Sequence, residues 1–135
     1  MKRIMLFFMI VLFSSSAVAE WTRLGNDGEL GGEIFINKES INKVGNIAKI
    51  WTLTNYAKRQ SLGGKKQLST KSWYEYDCQN EQYRTLILYW YSGHMGKGKI
   101  VYSEIVYSGR ILAKMQPIIP NSAVERIWKI TCGKE

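Results

Sequence analysis

Apolar and aromatic residues recur along most of the chain in short runs, divided by glycine-bearing breaks. Ile34-Phe35-Ile36, Ile47 to Tyr56, Ser69 to Cys78, Gln82 to Tyr91 and Lys99 to Val106 are rich in β-branched and aromatic residues, the composition of strands. The breaks fall at Gly31-Gly32, Gly45, Gly63-Gly64 and Gly93 to Gly98. Parallel neighbours would need long crossovers, so short strands joined by short breaks predict antiparallel hairpins. From Ile47 to Tyr56, one face reads Ile47, Lys49, Trp51 and Leu53, and the other reads Ala48, Ile50, Thr52, Thr54 and Tyr56. Both faces are partly apolar, which predicts a central strand or one covered on both sides.

The period changes near the C-terminus. Ser122-Ala123-Val124-Glu125 has the Ser-x-x-Glu form of a capping box, in which serine and glutamate satisfy amides that a helix start leaves unpaired. Val124, Ile127, Trp128 and Thr131 then recur at helical spacing and supply one apolar face. Pro120 disfavours helix in the residue before it and so fits a chain about to enter one. The predicted fold class is α+β, mainly β: a meandering antiparallel sheet with one C-terminal helix packed on it. Such a short helix is marginal alone in water and depends on that packing.

The N-terminus has a different purpose. Met1-Lys2-Arg3 is a basic start, Ile4 to Phe13 is apolar, and Ser14 to Ala19 ends in the small-x-small pattern cut by signal peptidase. Residues 1–19 are therefore expected to be a signal peptide, and residues 20–135 a single exported domain beginning at Glu20. The apolar run is about half of what a bilayer requires, so an integral membrane segment is not expected after cleavage. A lipoprotein would need a cysteine just after the cut, and the two cysteines are Cys78 and Cys132. Two cysteines in an exported chain usually pair, with buried free thiols as the alternative. They are too few to build a zinc cluster with the single histidine.

The whole chain carries 19 Lys and Arg against 11 Asp and Glu, and the leader accounts for only two of the basic residues. Lys58, Arg59, Lys65, Lys66 and Lys71 gather in and beside the Ser61 to Ser69 connection, and Lys97 and Lys99 occupy another. If both connections project from one side, Lys65, Lys66, Lys97 and Lys99 form a basic rim that attracts a protein or polyanionic partner. Solubility and protection of sheet edges are the plainer roles for such lysines. Nucleic acid is not expected, because the aromatic residues lie in strand patterns and not among the basic loops. The aromatic-rich sheet predicts an exposed face wherever the single helix leaves it uncovered, which suits a protein partner or a homodimer.

Glu75 and Asp77 are two apart and share a strand face with Trp73, whereas Tyr74, Tyr76 and Cys78 take the other. Paired carboxylates can act as acid and base when burial splits their pKa values, which makes a hydrolase one reading. No nucleophile or base stands near them in sequence, and Arg84 lies across a short turn where it can neutralise either one. The expected role of Glu75, Asp77 and Arg84 is a structural ion pair. Gly93 to Lys99 matches G-x-x-x-x-G-K, yet Ile100 stands where a magnesium-binding Ser or Thr is required. A β-like segment follows in place of a helix, so this stretch reads as a flexible hairpin loop. His94 within it has no Cys, Asp or Ser beside it to suggest catalysis or metal binding.

Several of these positions together resemble a known group. Trp51 with Leu53 and Tyr56, then Glu75, Asp77-Cys78, Arg84, Tyr91-Ser92-Gly93, Pro120-Asn121-Ser122 and Cys132 resemble the surface-adhesin protein E-like family of exported Gram-negative bacterial proteins. The resemblance implies a meandering sheet and a C-terminal helix held by a Cys78–Cys132 disulfide. No cofactor and no enzymatic activity are expected, and the alternative to a binding role is a periplasmic structural or stress-related protein without a ligand. The resemblance also implies a binding role in the periplasm or on the outer cell surface, in the manner of an adhesin for host proteins such as vitronectin, laminin and plasminogen. Asn121 departs from the pattern, because a glycine is expected in a Pro-Gly-Ser turn.

Overall fold

The computed structural model describes residues 20–27, 31–106 and 114–134. The expected signal peptide, residues 1–19, lies outside the described residues. Strands β1 (Thr22–Asp27), β2 (Gly32–Val44), β3 (Ile47–Leu62), β4 (Lys65–Asp77), β5 (Gln82–Tyr91) and β6 (Ile100–Ile105) follow one another across the sheet in chain order. Every neighbouring pair is antiparallel. A two-residue strand, β7 (Gln116–Pro117), pairs with the start of β5 where β6 does not reach. A helix, α1 (Ala123–Thr131), closes one face. The antiparallel meander with one C-terminal helix is thus as expected, with β3 and β4 at its centre.

Three readings of detail differ. β2 extends far beyond Ile34-Phe35-Ile36 and carries an irregularity between Asn37 and Asn42, where the Ser40 hydroxyl replaces the missing ladder partner by accepting from the Trp51 amide at 2.9 Å. The polar Ser61 to Ser69 connection is mostly strand. Only Gly63 and Gly64 turn, both at positive φ, and β3 and β4 form a long hairpin. The Gly93 to Gly98 loop is tied down: Ser69 Oγ donates to the Gly93 carbonyl at 2.6 Å and accepts from the Gly96 amide at 2.8 Å. Asn55 Oδ1 accepts from the Met95 amide at 2.8 Å. A short 3-10 turn, His94–Gly96, results.

Register decides what each face carries. On the helix side, Ile34, Ile36, Ala48, Ile50 and Tyr76 are buried beneath Ile127, Trp128 and Cys132. Each buried isoleucine among them contributes about 1.5–3 kcal/mol. Tyr74, Tyr76 and Tyr83 meet there with centroids 5.9 to 6.1 Å apart. Ser122 caps α1 by accepting from the Glu125 amide at 3.1 Å, and Glu125 reaches back to the Asn121 amide. The helix is fixed at three further points. The Tyr76 hydroxyl donates to the Val124 carbonyl at 3.2 Å, Arg126 donates to the Asn26 carbonyl at 3.0 Å, and Cys132 is bonded to Cys78.

Candidate functional site

The face away from the helix is built in cross-strand rows. Lys49, Glu75 and Arg84 form one row across β3, β4 and β5; Trp51, Trp73 and Ile87 form the next; then come Leu53, Lys71 and Tyr89, and finally Asn55, Ser69 and Tyr91. Side chains alternate along a strand, so these rows share one face. Trp51 lies nearly parallel to Trp73 at 6.0 Å and to Tyr89 at 6.3 Å, while Tyr89 meets Tyr91 edge-on at 6.4 Å. Lysines stand among the rings. Lys49 Nζ lies 5.1 Å from the Trp73 ring, and Lys71 Nζ lies 5.2 Å from Tyr91 and 5.7 Å from Trp21. At that range an ammonium is attracted by the negative face of the ring.

At one end of this face, Gly93 to Gly98 folds over the sheet. Leu53 is fully buried even though it points away from the helix. Gly96, at φ +70°, leaves room for the Lys71 stem; a Cβ there would collide with Lys71 Cε. Beside this cover lies an open cleft of about 260 Å³ lined by Trp21, Asn37, Trp51, Lys71, Tyr89 and Tyr91. Burial pushes the Tyr91 phenol above its usual pKa, with the neighbouring Tyr89 adding to the shift.

At the other end the carboxylates part company. Glu75, 8% exposed, forms an ion pair with Arg84 directly across the β4–β5 ladder. Asp77 instead holds the turn that follows it. Its Oδ1 accepts from the Gln79 and Asn80 amides, both at 3.1 Å, and its Oδ2 accepts from the Asn80 side chain at 2.9 Å. Those bonds, chiefly from Asn80, hold its pKa below the usual carboxylate value. The two acids that looked like a pair in sequence serve two separate structural tasks.

The lysines of the expected rim are exposed and lie beyond the end of the sheet where Ser69 pairs with Tyr91, opposite the carboxylates. They do not all turn one way. Lys65 Nζ sits 4.7 Å from the ring of Tyr102, which pairs with Trp90 on the helix side, whereas Lys97 lies in the connection that folds over the opposite face. Lys66 is near the hairpin turn, and Lys97 and Lys99 flank Gly98 in the connection. Trp21 and Asn37 were not legible as site residues, because neither belongs to a run or motif. Lys71 was legible only as one more loop cation, since the turn at Gly63-Gly64 had to be placed before its face could be known. Among the described residues, no cluster of His, Cys, Asp and Glu could hold a metal ion, and no helix is long and apolar enough to cross a membrane.

A meander closed on one side by a disulfide-pinned helix and aromatic on the other defines a small, disulfide-stabilised β-sheet domain that presents a sheet face. The chain belongs to the surface-adhesin protein E family, whose pattern matches residues 21–133. No curated protein sequence matches it. Among solved structures it is similar to protein E of Haemophilus influenzae in its crystal form II, with a TM-score of 0.57 and 14% identity over 82% of this chain and 87% of that one. It is similar also to protein E from non-typeable Haemophilus influenzae, with a TM-score of 0.56 and 14% identity over 88% of this chain and 79% of that one. At such identity the likeness is one of fold.

Proposed function

We propose that this chain is an exported, non-enzymatic binding protein of the bacterial envelope that holds a protein or polyanionic partner of the envelope or of a host. The observation that carries this reading is the broad aromatic face set with lysines, in a chain of the surface-adhesin protein E family. Ring faces provide large contact area at small entropic cost, and cations among them select for acidic partners. Residues 1–19 serve as the signal peptide and leave Glu20 as the mature N-terminus, which intact-mass measurement of the secreted protein tests. Lys65, Lys66, Lys97 and Lys99 supply long-range attraction at the end of the sheet.

The purified mature protein is to be titrated against an array of matrix proteins and envelope polyanions at low and physiological salt. Binding is expected to weaken with salt, and K65E/K66E/K97E/K99E is expected to lose most of it. Undiminished binding by the reversed variant removes the rim from the reading, and uniformly negative titrations favour a ligand-free periplasmic protein. Protease shaving of intact cells tells the two locations apart: digestion indicates the outer surface, protection the periplasm.

A further inference from the structure

Lys71 differs from the other lysines in where it is held. Its stem runs beneath Gly96, where a Cβ would meet Lys71 Cε, and its ammonium lies within 5.7 Å of the rings of both Tyr91 and Trp21. It makes no ion pair among the described residues. Trp51, Tyr89 and Asn37 complete the cleft around it, and among the described residues no acidic side chain lines that cleft. One positioned cation, an amide and a wall of aromatic rings thus surround an open space suited to a single ring bearing one negative charge.

Resting on the reading of this chain as an exported binding protein, we infer that the cleft is a subsite for an acidic pyranose, a sugar ring carrying a carboxylate, within a larger glycan. The weakly positive C–H groups on one side of a pyranose pack against the negative faces of aromatic rings. The wall of Trp51 and Tyr89 takes that side, Lys71 takes the carboxylate through a charge-assisted hydrogen bond, and Asn37 meets a ring hydroxyl. An open cleft suits one unit of a polymer that enters and leaves at its edges. A single-stranded nucleic acid presents a phosphate at every unit and calls for a track of cations along the cleft. Among the described residues, Lys71 is the one cation in its lining.

The test titrates the full mature protein with sialyllactose and with a glucuronate-containing hexasaccharide, each beside a neutral counterpart, lactose and chitohexaose. Indole resonances and tryptophan fluorescence report on Trp21 and Trp51. At least one acidic glycan is expected to bind about tenfold or more tightly than its neutral counterpart, and the acid preferred identifies the sugar as sialic or uronic. Lys71→Met is expected to erase that preference while the protein keeps its melting temperature, and Asn37→Ala to weaken both members of each pair. The acid preference is expected to persist at about 1 M salt, where long-range attraction from Lys65, Lys66, Lys97 and Lys99 is screened, so failure here is separable from failure of the rim. The inference is overturned if acidic and neutral glycans bind alike, if Lys71→Met retains the preference, or if oligothymidylate occupies the cleft more tightly than either acid.

Discussion

Asn121 shows how one backbone angle can explain a departure from a family pattern. Glycine is expected there because the turn into α1 requires a left-handed residue, and Asn121 indeed has φ +61°. Asparagine is among the side chains that tolerate this region best. Asn121→Gly should leave the denaturation midpoint nearly unchanged, whereas Asn121→Val should cost about 1–2 kcal/mol, both read from urea unfolding. The Glu75 and Arg84 ion pair makes a sharper demand. Arg84→Met leaves a mostly buried carboxylate without its main partner and should destabilise by about 3 kcal/mol; Glu75→Gln made in addition should recover part of that loss. Tyrosine burial sets the alkaline limit. Burial, opposed by a Ser72 hydrogen bond, pushes Tyr74 up to about 12 from an ordinary value of 10. Its neutral form is favoured in the fold, so this contribution is complete below pH 10 and is lost as pH rises towards 12. Stability should fall over that interval, and Tyr74→Phe should flatten the fall.

Among the elements, α1 depends most on its attachments. The Cys78–Cys132 bond spans 54 positions of sequence, and the chain-entropy model assigns such a closure about 4 kcal/mol. Replacing both cysteines with serine should lower the melting temperature and loosen α1 before the sheet, seen as early loss of amide protection at Ile127 and Trp128. This helix was legible from sequence because capping chemistry and a 3.6-residue period agree from Ser122 to Thr131. The strands from Ile47 to Tyr91 were legible for the same kind of reason, since their apolar and aromatic runs are bounded by glycine. β1 was not, because Thr22–Asp27 is short, polar and bent by an irregularity between Arg23 and Gly25. The first residues of β4, Lys65 to Gln67, have loop composition and become strand through pairing with Gln60 to Leu62. Here tertiary context overrides propensity.

At the scale of the molecule, the sequence displays the aromatic residues but not their assembly. Trp51, Trp73 and Tyr89 become one surface only when three strands are aligned with the right register, and the shift between Trp73 and Tyr74 moves the β5 partners by one residue. No local pattern encodes that alignment. The strand order, β1 through β6 without a crossover, also bears on how the chain folds after export. Each strand meets a neighbour that emerged just before it, so hairpins can zip successively with little loop-closure entropy. Docking of α1 onto β2 and β3 spans most of the domain and must come after both. In refolding from denaturant with thiols reduced, the fluorescence of the central tryptophans should therefore recover before helix protection, and an oxidant added early should find Cys78 already placed and Cys132 still arriving. The disulfide then works as the last latch on a sheet that has formed without it.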